Sequence, residues 1–231
     1  MAADPAGWMP DTLHLPTSAW GYPDIAEDGM FTQAVVSHVA QGYWGGLLGI
    51  AASQAPGKSW HFSISREGEI AQHVSIADPA WHAGDVNAPT WRLYQGGNPN
   101  KRTVGIEHEG FSIPPVYSYD YTYSAGNPWP EALIEASIRV HRWVFARVNE
   151  WNAGAMVPSE DTVITHSMLN TASRKQDPGD LWLQTVRPRI IAALQPAPAP
   201  VPVFRTYADG LVDGNNLALD AVIANAIAHK K

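Results

Sequence analysis

The chain has 231 residues, with 22 Asp plus Glu against 15 Lys plus Arg, a formal net charge of −7 and no cysteine. An acidic chain without a basic cluster is a poor match to a protein that binds nucleic acid by neutralising phosphates, and the lack of cysteine excludes disulfides, thiolate metal sites and thiol nucleophiles. At 45% hydrophobic and 16% charged residues the chain reads as folded rather than disordered, and its ten tryptophans fit either an aromatic-rich core or a groove that stacks on flat apolar faces.

Residues 1–30 are rich in Pro, Gly, Asp and Trp without periodicity and read as an irregular N-terminal arm. They lack the basic segment and apolar run of a secretory signal, and no apolar stretch approaches the ~20 residues of a membrane span. The expectation is therefore a chain made in the cytoplasm without a signal peptide or transmembrane segment. QAVVSHV (33–39) is a short buried strand ending in histidine, and GGLLGIAASQ (45–54) a short helix closed by Pro56-Gly57. WHFSIS (60–65) and EIAQHVSI (69–76) both alternate around the turn Arg66-Glu67-Gly68, which predicts a hairpin.

RTVGIEHEG (102–110) alternates again, with Val104 and Ile106 on one face and Thr103, Glu107 and Glu109 on the other. Two carboxylates on one face of a central strand imply that this face looks into a cleft. Pro130 opens a helix on which Leu133, Ile134, Ile138, Val144 and Val148 recur at helical spacing. VITHS (163–167) is a strand ending in a second histidine, and a last helix from Leu181 to Leu194 is interrupted at Pro188. Composition then shifts to a Pro-Ala linker (195–203) and a tail (204–231), whose Leu217, Leu219, Val222, Ile223 and Ile227 beside Lys230 and Lys231 suggest contact with a cell wall or membrane. The main domain, 31–194, reads as α/β, a mixed central β-sheet flanked by helices with a cleft over one face.

His38 and His166 each end a short strand, and Asp177 lies eleven residues beyond the second. Without cysteine, two imidazoles and a carboxylate are the natural protein ligands for a zinc ion that keeps one position open. Each residue also has an ordinary reading: a strand-end histidine is often a hydrogen-bonded core residue, and Asp before Pro-Gly often starts a turn.

VVSHVAQG (35–42), SWHFSISREGEI (59–70), AWHAGD (80–85), TVGIEHEG (103–110) and THSMLNTASRKQDPG (165–179), in this order, resemble the zinc-dependent N-acetylmuramoyl-L-alanine amidases of the amidase-2 type, which include phage endolysins and are related to the peptidoglycan recognition proteins. The resemblance spans about residues 33–194. It implies a mixed sheet flanked by helices, with Zn2+ held by His38, His166 and Asp177 at one end of a shallow groove. It implies peptidoglycan as the substrate and hydrolysis of the bond between N-acetylmuramic acid and L-alanine by zinc-activated water. Glu107 matches the family's first strand glutamate and is assigned the proton transfer, with Glu109 as the runner-up, and Lys175 is assigned the oxyanion while Arg174 is read as a surface charge. Trp81 and His82 match a groove-rim motif and read as substrate contacts, with packing an equal alternative for Trp81. Trp60, Asn100 and Arg102 are further substrate-contact candidates. His61 reads as structural or as supporting the ligands, whereas His14, His73, His108, His141 and His229 read as ordinary surface or core residues.

Three settings follow from this resemblance. The leading one is a phage endolysin, made in the cytoplasm and acting at the wall. The others are a cytoplasmic amidase recycling anhydro-muropeptides and a non-catalytic peptidoglycan-binding module.

Overall fold

Six strands form one sheet in the order β1-β4-β3-β5-β2-β6 in the computed structural model, which describes residues 7–17, 32–53, 57–112, 129–152, 154 and 156–196. The strands are β1 (Leu13–His14), β2 (Ala34–Val39), β3 (Phe62–Ile64), β4 (Ile70–Gln72), β5 (Thr103–His108) and β6 (Val163–Thr165). β3 and β4 are the expected antiparallel hairpin and every other neighbouring pair is parallel, so the sheet is mixed. The helices are α1 (Trp44–Ala52), α2 (Glu131–Trp151), the four-residue α3 (His166–Leu169) and α4 (Arg187–Leu194), the last entered through a π-helical turn at Trp182–Val186. Pro188 sits in the first turn of α4, where its missing N–H costs no helical bond, so it separates that turn from the helix.

The central strands β2 and β5 are buried along almost their whole length, as expected of parallel strands covered on both faces. On one face Val35, Val39, Val104 and Ile106 pack in the main core with Leu133, Ile138, Val144 and Val148 of α2, all positions that the helical spacing selects. On the other, Ala34 and Val36 pack with Ala83, Trp91, Ile164 and Leu169, under the loop that carries residues 80–101. The hairpin turn lies against the start of α2, where Gly68 (φ +86°) is required, because a Cβ there would come within 2.9 Å of the Ala132 carbonyl.

The described part of the N-terminal arm is irregular apart from β1, but it is tied down. Leu15 and Thr17 donate to the Gln72 and His73 carbonyls, and the Gln72 side chain binds Met9 N–H and the Gly7 carbonyl. The arm thus covers the edge of β4 that would otherwise offer unpaired backbone groups. The chain divides into two units, Met1–Gln195 and Pro196–Lys231. Apart from Gln195 and Pro196, the expected linker and tail lie outside the described residues. No helix among the described residues is long and apolar enough to cross a membrane.

Candidate active site

β2 and β5 are in parallel register with His38 opposite Glu107, and alternation sends both side chains to the face away from α2. β6 flanks β2 on its other edge and ends at Thr165, so His166 opens α3 one residue beyond the strand. The chain then returns through residues 171–177 and brings Asp177 to the same point, where Oδ1 accepts the Val39 N–H at 2.8 Å. His38 Nδ1 lies 3.0 Å from His166 Nδ1 and 3.9 Å from Asp177 Oδ2, and His166 Nδ1 lies 2.8 Å from that same oxygen. One ligand atom from each of the three residues falls within 4.8 Å of the others.

Burial keeps His38, His61 and His82 neutral. It lowers His38 to about 4, against the opposing pull of Asp177, and lowers His61 to about 4. His82 is driven well below its ordinary value by burial and by the neighbouring His38 and His61. Burial alone would raise the Asp177 carboxyl, yet hydrogen bonding to His166 and His38 holds it well below its ordinary range, so it faces them as an anion. Imidazole nitrogens and a carboxylate oxygen converging on one point form a donor set for a cation, and two nitrogens with one oxygen fit zinc.

His38, His82, His166 and Asp177 line a cavity of about 540 Å3, together with Glu107, Arg174 and Trp81. The Glu107 Oε2 atom is buried and without a hydrogen-bond partner. Burial, and secondarily the Asp177 charge, push the Glu107 carboxyl well above its ordinary range, against the pull of Arg174. A carboxyl made more basic in this way, at a cavity wall, is suited to taking and returning a proton. A second cavity of about 520 Å3 shares Trp81, Gly57 and Gly84 with the first and extends past Asp85 and Tyr94.

Several residues sit differently from the sequence reading. β5 ends at His108, so Glu109 leaves the alternation that would have aligned it with Glu107. Its two oxygens accept the Trp44 N–H at the start of α1 and the Arg66 N–H in the hairpin, both at 2.8 Å, which makes it a staple between elements. Lys175 is exposed and is absent from the residues lining either cavity, whereas Arg174, read as a surface charge, lines the one that holds the three ligands. Nothing in the order Arg-Lys distinguishes which of two adjacent exposed cations turns inward.

His82 is buried and faces inward, 3.0 Å from His38 Nε2. Asn100 is also buried, and its Oδ1 is held by the N–H groups of His82 and Ala83. Arg102 precedes β5, at the end of that strand remote from Glu107, and lines neither cavity. Trp60 touches the cavity but its indole N–H is spent on Ser63 at 2.7 Å, and its ring packs with Leu47 and Ala51. Trp81 is half-buried and forms the wall common to both cavities. His61 joins the hairpin to β5, accepting the Gly105 N–H and donating to the Asp78 carbonyl.

The sequence matches the amidase-2 family, described as N-acetylmuramoyl-L-alanine amidase, over residues 27–180. No curated protein sequence matches the chain. Among solved structures it is similar to a selenomethionine derivative of AmpD, at 20% identity and a TM-score of 0.58 over 80% of this chain and 97% of that one. It is also similar to a mutant endolysin from Bacillus subtilis, at 16% identity and a TM-score of 0.53 over 81% of this chain and 100% of that one. The N-acetylmuramoyl-L-alanine amidase LysC from Clostridium intestinale follows at 14% identity and a TM-score of 0.50, over 79% and 98%. At these identities the structural likeness establishes the fold, and the sequence match over more than half of the chain establishes the family: the chain belongs to the amidase-2 family of N-acetylmuramoyl-L-alanine amidases.

Proposed function

We propose that this amidase is zinc-dependent, that it hydrolyses the amide between the lactyl group of N-acetylmuramic acid and the L-alanine of the stem peptide, and that it serves as a phage endolysin. The observation that carries the reading is the convergence of His38, His166 and Asp177 in one cavity, with Glu107 in register beside His38. Zinc, when bound by these three residues, supplies a Lewis acid that lowers the pKa of water to ~7 and polarises the amide carbonyl.

The protein residues divide the remaining work. Glu107 takes a proton from the attacking water as the oxygen bonds to the carbonyl carbon, and delivers it to the L-alanine nitrogen as the carbon–nitrogen bond breaks. The second proton of the water passes from the new carboxyl to the amine, so the products are a lactyl carboxylate and a stem-peptide ammonium, and atoms and charge balance without a further reactant. The negative charge that develops on the carbonyl oxygen needs a positive partner. The family resemblance gives that role to Lys175, and the cavity wall favours its neighbour Arg174. Trp81, between the two cavities, offers an aromatic face to the saccharide or peptide on either side of the scissile bond. The Pro-Ala segment at 195–203 supports the modular, wall-directed setting, in which the tail contacts wall or membrane.

The test is digestion of purified sacculi by the zinc-loaded chain, with mass analysis of the products and metal analysis of the protein. The expected result is free stem peptides, intact glycan strands and one bound zinc. Activity confined to soluble anhydro-muropeptides would replace the endolysin role with recycling. A chain that binds sacculi without zinc or product would be a binding module.

A further inference from the structure

Behind the three candidate ligands lies a tier of hydrogen bonds whose directions are fixed by groups that act in one way only. The Thr103 carbonyl lies 3.1 Å from His82 Nε2, and a carbonyl only accepts. The Thr103 hydroxyl, 3.2 Å from the same nitrogen, has its proton committed to the Pro99 carbonyl at 2.8 Å and so accepts as well. The neutral His82 ring therefore carries its proton on Nε2 and presents Nδ1 as a bare lone pair. That lone pair faces His38 Nε2 at 3.0 Å, so His38 holds its own proton there and leaves Nδ1 bare toward the cavity. The Ala83 carbonyl lies 2.9 Å from His166 Nε2 and, because a carbonyl only accepts, holds a ring proton there; Nδ1, hydrogen-bonded at 2.8 Å to the anionic Asp177 Oδ2, is then the nitrogen that exchanges its proton for a metal. These two Nδ1 atoms are the pair that meets at 3.0 Å.

Two consecutive residues thus hold the outer nitrogen of both imidazoles and turn Nδ1 of each toward the cavity, and two distant ones hold the pair in place. Asn100 Oδ1 accepts the N–H of His82 at 3.0 Å and of Ala83 at 2.8 Å. Gly105, in the middle of β5, gives the His82 ring its place, since a Cβ there would stand 2.4 Å from His82 Cγ. A glycine inside a buried central strand weakens the strand, and a close approach of this kind is the usual reason for it.

The geometry points to His82–Ala83, clamped by Asn100 and seated over Gly105, as the positioning frame that presents both imidazole Nδ1 atoms to the metal. The inference rests on the metal reading above. It gives AWHAG a task behind the ligands in addition to the place of His82 in the cavity lining. Outer partners of this kind fix ring orientation and ligand basicity, and losing one costs roughly 10–100-fold in metal affinity.

The experiment measures zinc affinity of the full chain by chelator competition, and the imidazole tautomers by long-range 1H–15N NMR. His82→Leu and Gly105→Ala are expected to weaken zinc by roughly 10–100-fold with an unchanged circular dichroism spectrum. His82→Asn places an acceptor oxygen near the former Nδ1 and is expected to recover most of that loss, which a merely space-filling role would not produce. In the unsubstituted protein, His82 is expected to show the Nε2–H tautomer with or without zinc. This reading stays decisive if His82→Leu or Gly105→Ala fails to fold. An Nδ1–H tautomer at His82, or folded His82→Leu binding zinc as tightly as the parent, would overturn the frame. A parent chain that binds no zinc would overturn the metal reading instead, and the tautomer at His82 would still decide the frame.

Discussion

β2 and β5 carry histidines on both faces, and the two sets make a useful contrast. On the groove face are His38 and, packed over Gly105, His82; on the α2 face are His108 and, from the helix, His141. All four are buried and all four are driven toward the neutral form by burial. On the α2 face the nitrogens are dispersed: His108 bonds the His38 carbonyl and Ser137, and His141 bonds the Ser137 carbonyl. On the groove face the outer hydrogen bonds turn the Nδ1 atoms of His38 and His166 to one point beside an anion. Neutral buried histidine is thus common to core and site, and the direction of the ring nitrogens separates them.

The sharpest way to break this contrast is to remove the anion. Asp177→Ala deletes both a ligand oxygen and the acceptor of the Val39 N–H. It should abolish zinc retention after dialysis and reduce sacculus digestion to background, whereas His141→Leu, on the other face, should leave zinc content unchanged. Zinc retained in full by the Asp177 variant would mean that the carboxylate is not a ligand and that the anion plays no part in the contrast.

Glu107 and Glu109 extend the comparison to carboxylates two residues apart. Glu107→Ala should keep zinc and fold while lowering kcat by roughly 10²–10⁴-fold, the usual worth of a positioned acid–base group. Full activity in that variant would remove Glu107 from the reaction. Arg174→Ala and Lys175→Ala then divide the oxyanion role: the residue that meets the developing charge should lose about 10²-fold or more in kcat and its neighbour much less. The lining of the cavity assigns the larger loss to Arg174, and the reverse order would return the role to Lys175. Glu109→Ala should leave kcat of the folded protein intact but lower its stability, since two backbone N–H groups lose their acceptor, at about 1–3 kcal/mol for each donor left buried. Urea unfolding separates this from a catalytic defect.

What the sequence revealed and concealed follows the same physical line. Strand-end histidines, the hairpin and the apolar stripe of α2 were legible because alternation and helical spacing are local. Glu109 was misplaced because alternation does not announce where a strand stops, and here it stops at His108. The pairing of β1 with β4 carries no periodic signal in two residues. The task of His82 was hidden because it depends on Gly105, Asn100 and Thr103, which come together only across the folded sheet. A glycine between two valine-type positions in TVGIEH was the available clue, since a central strand rarely gives up a side chain without a neighbour to fill the space.

The smallest effect at neutral pH belongs to the α2 face, and it emerges only on acidification. His141 has its Nδ1–H on the Ser137 carbonyl and a buried Nε2 without a partner, and burial lowers it to about 4 from an ordinary 6.5. Above pH 6.5 the folded and unfolded chains both keep this ring neutral, so its stabilising contribution is fully present. Between 6.5 and 4 the unfolded chain takes up a proton that the folded chain refuses, and stability falls as the pH falls; below 4 both forms are protonated and the loss stops. The slope from one such group is at most about 1.4 kcal/mol per pH unit. His141→Leu should therefore match the parent's pH dependence above 6.5 and lose stability less steeply below it, as read from urea midpoints of zinc-free protein at each pH. Equal slopes in the two proteins would mean that the ring titrates in the folded state as it does in the unfolded one. The α2 face would then not be the dry counterpart that makes the convergence on the groove face distinctive.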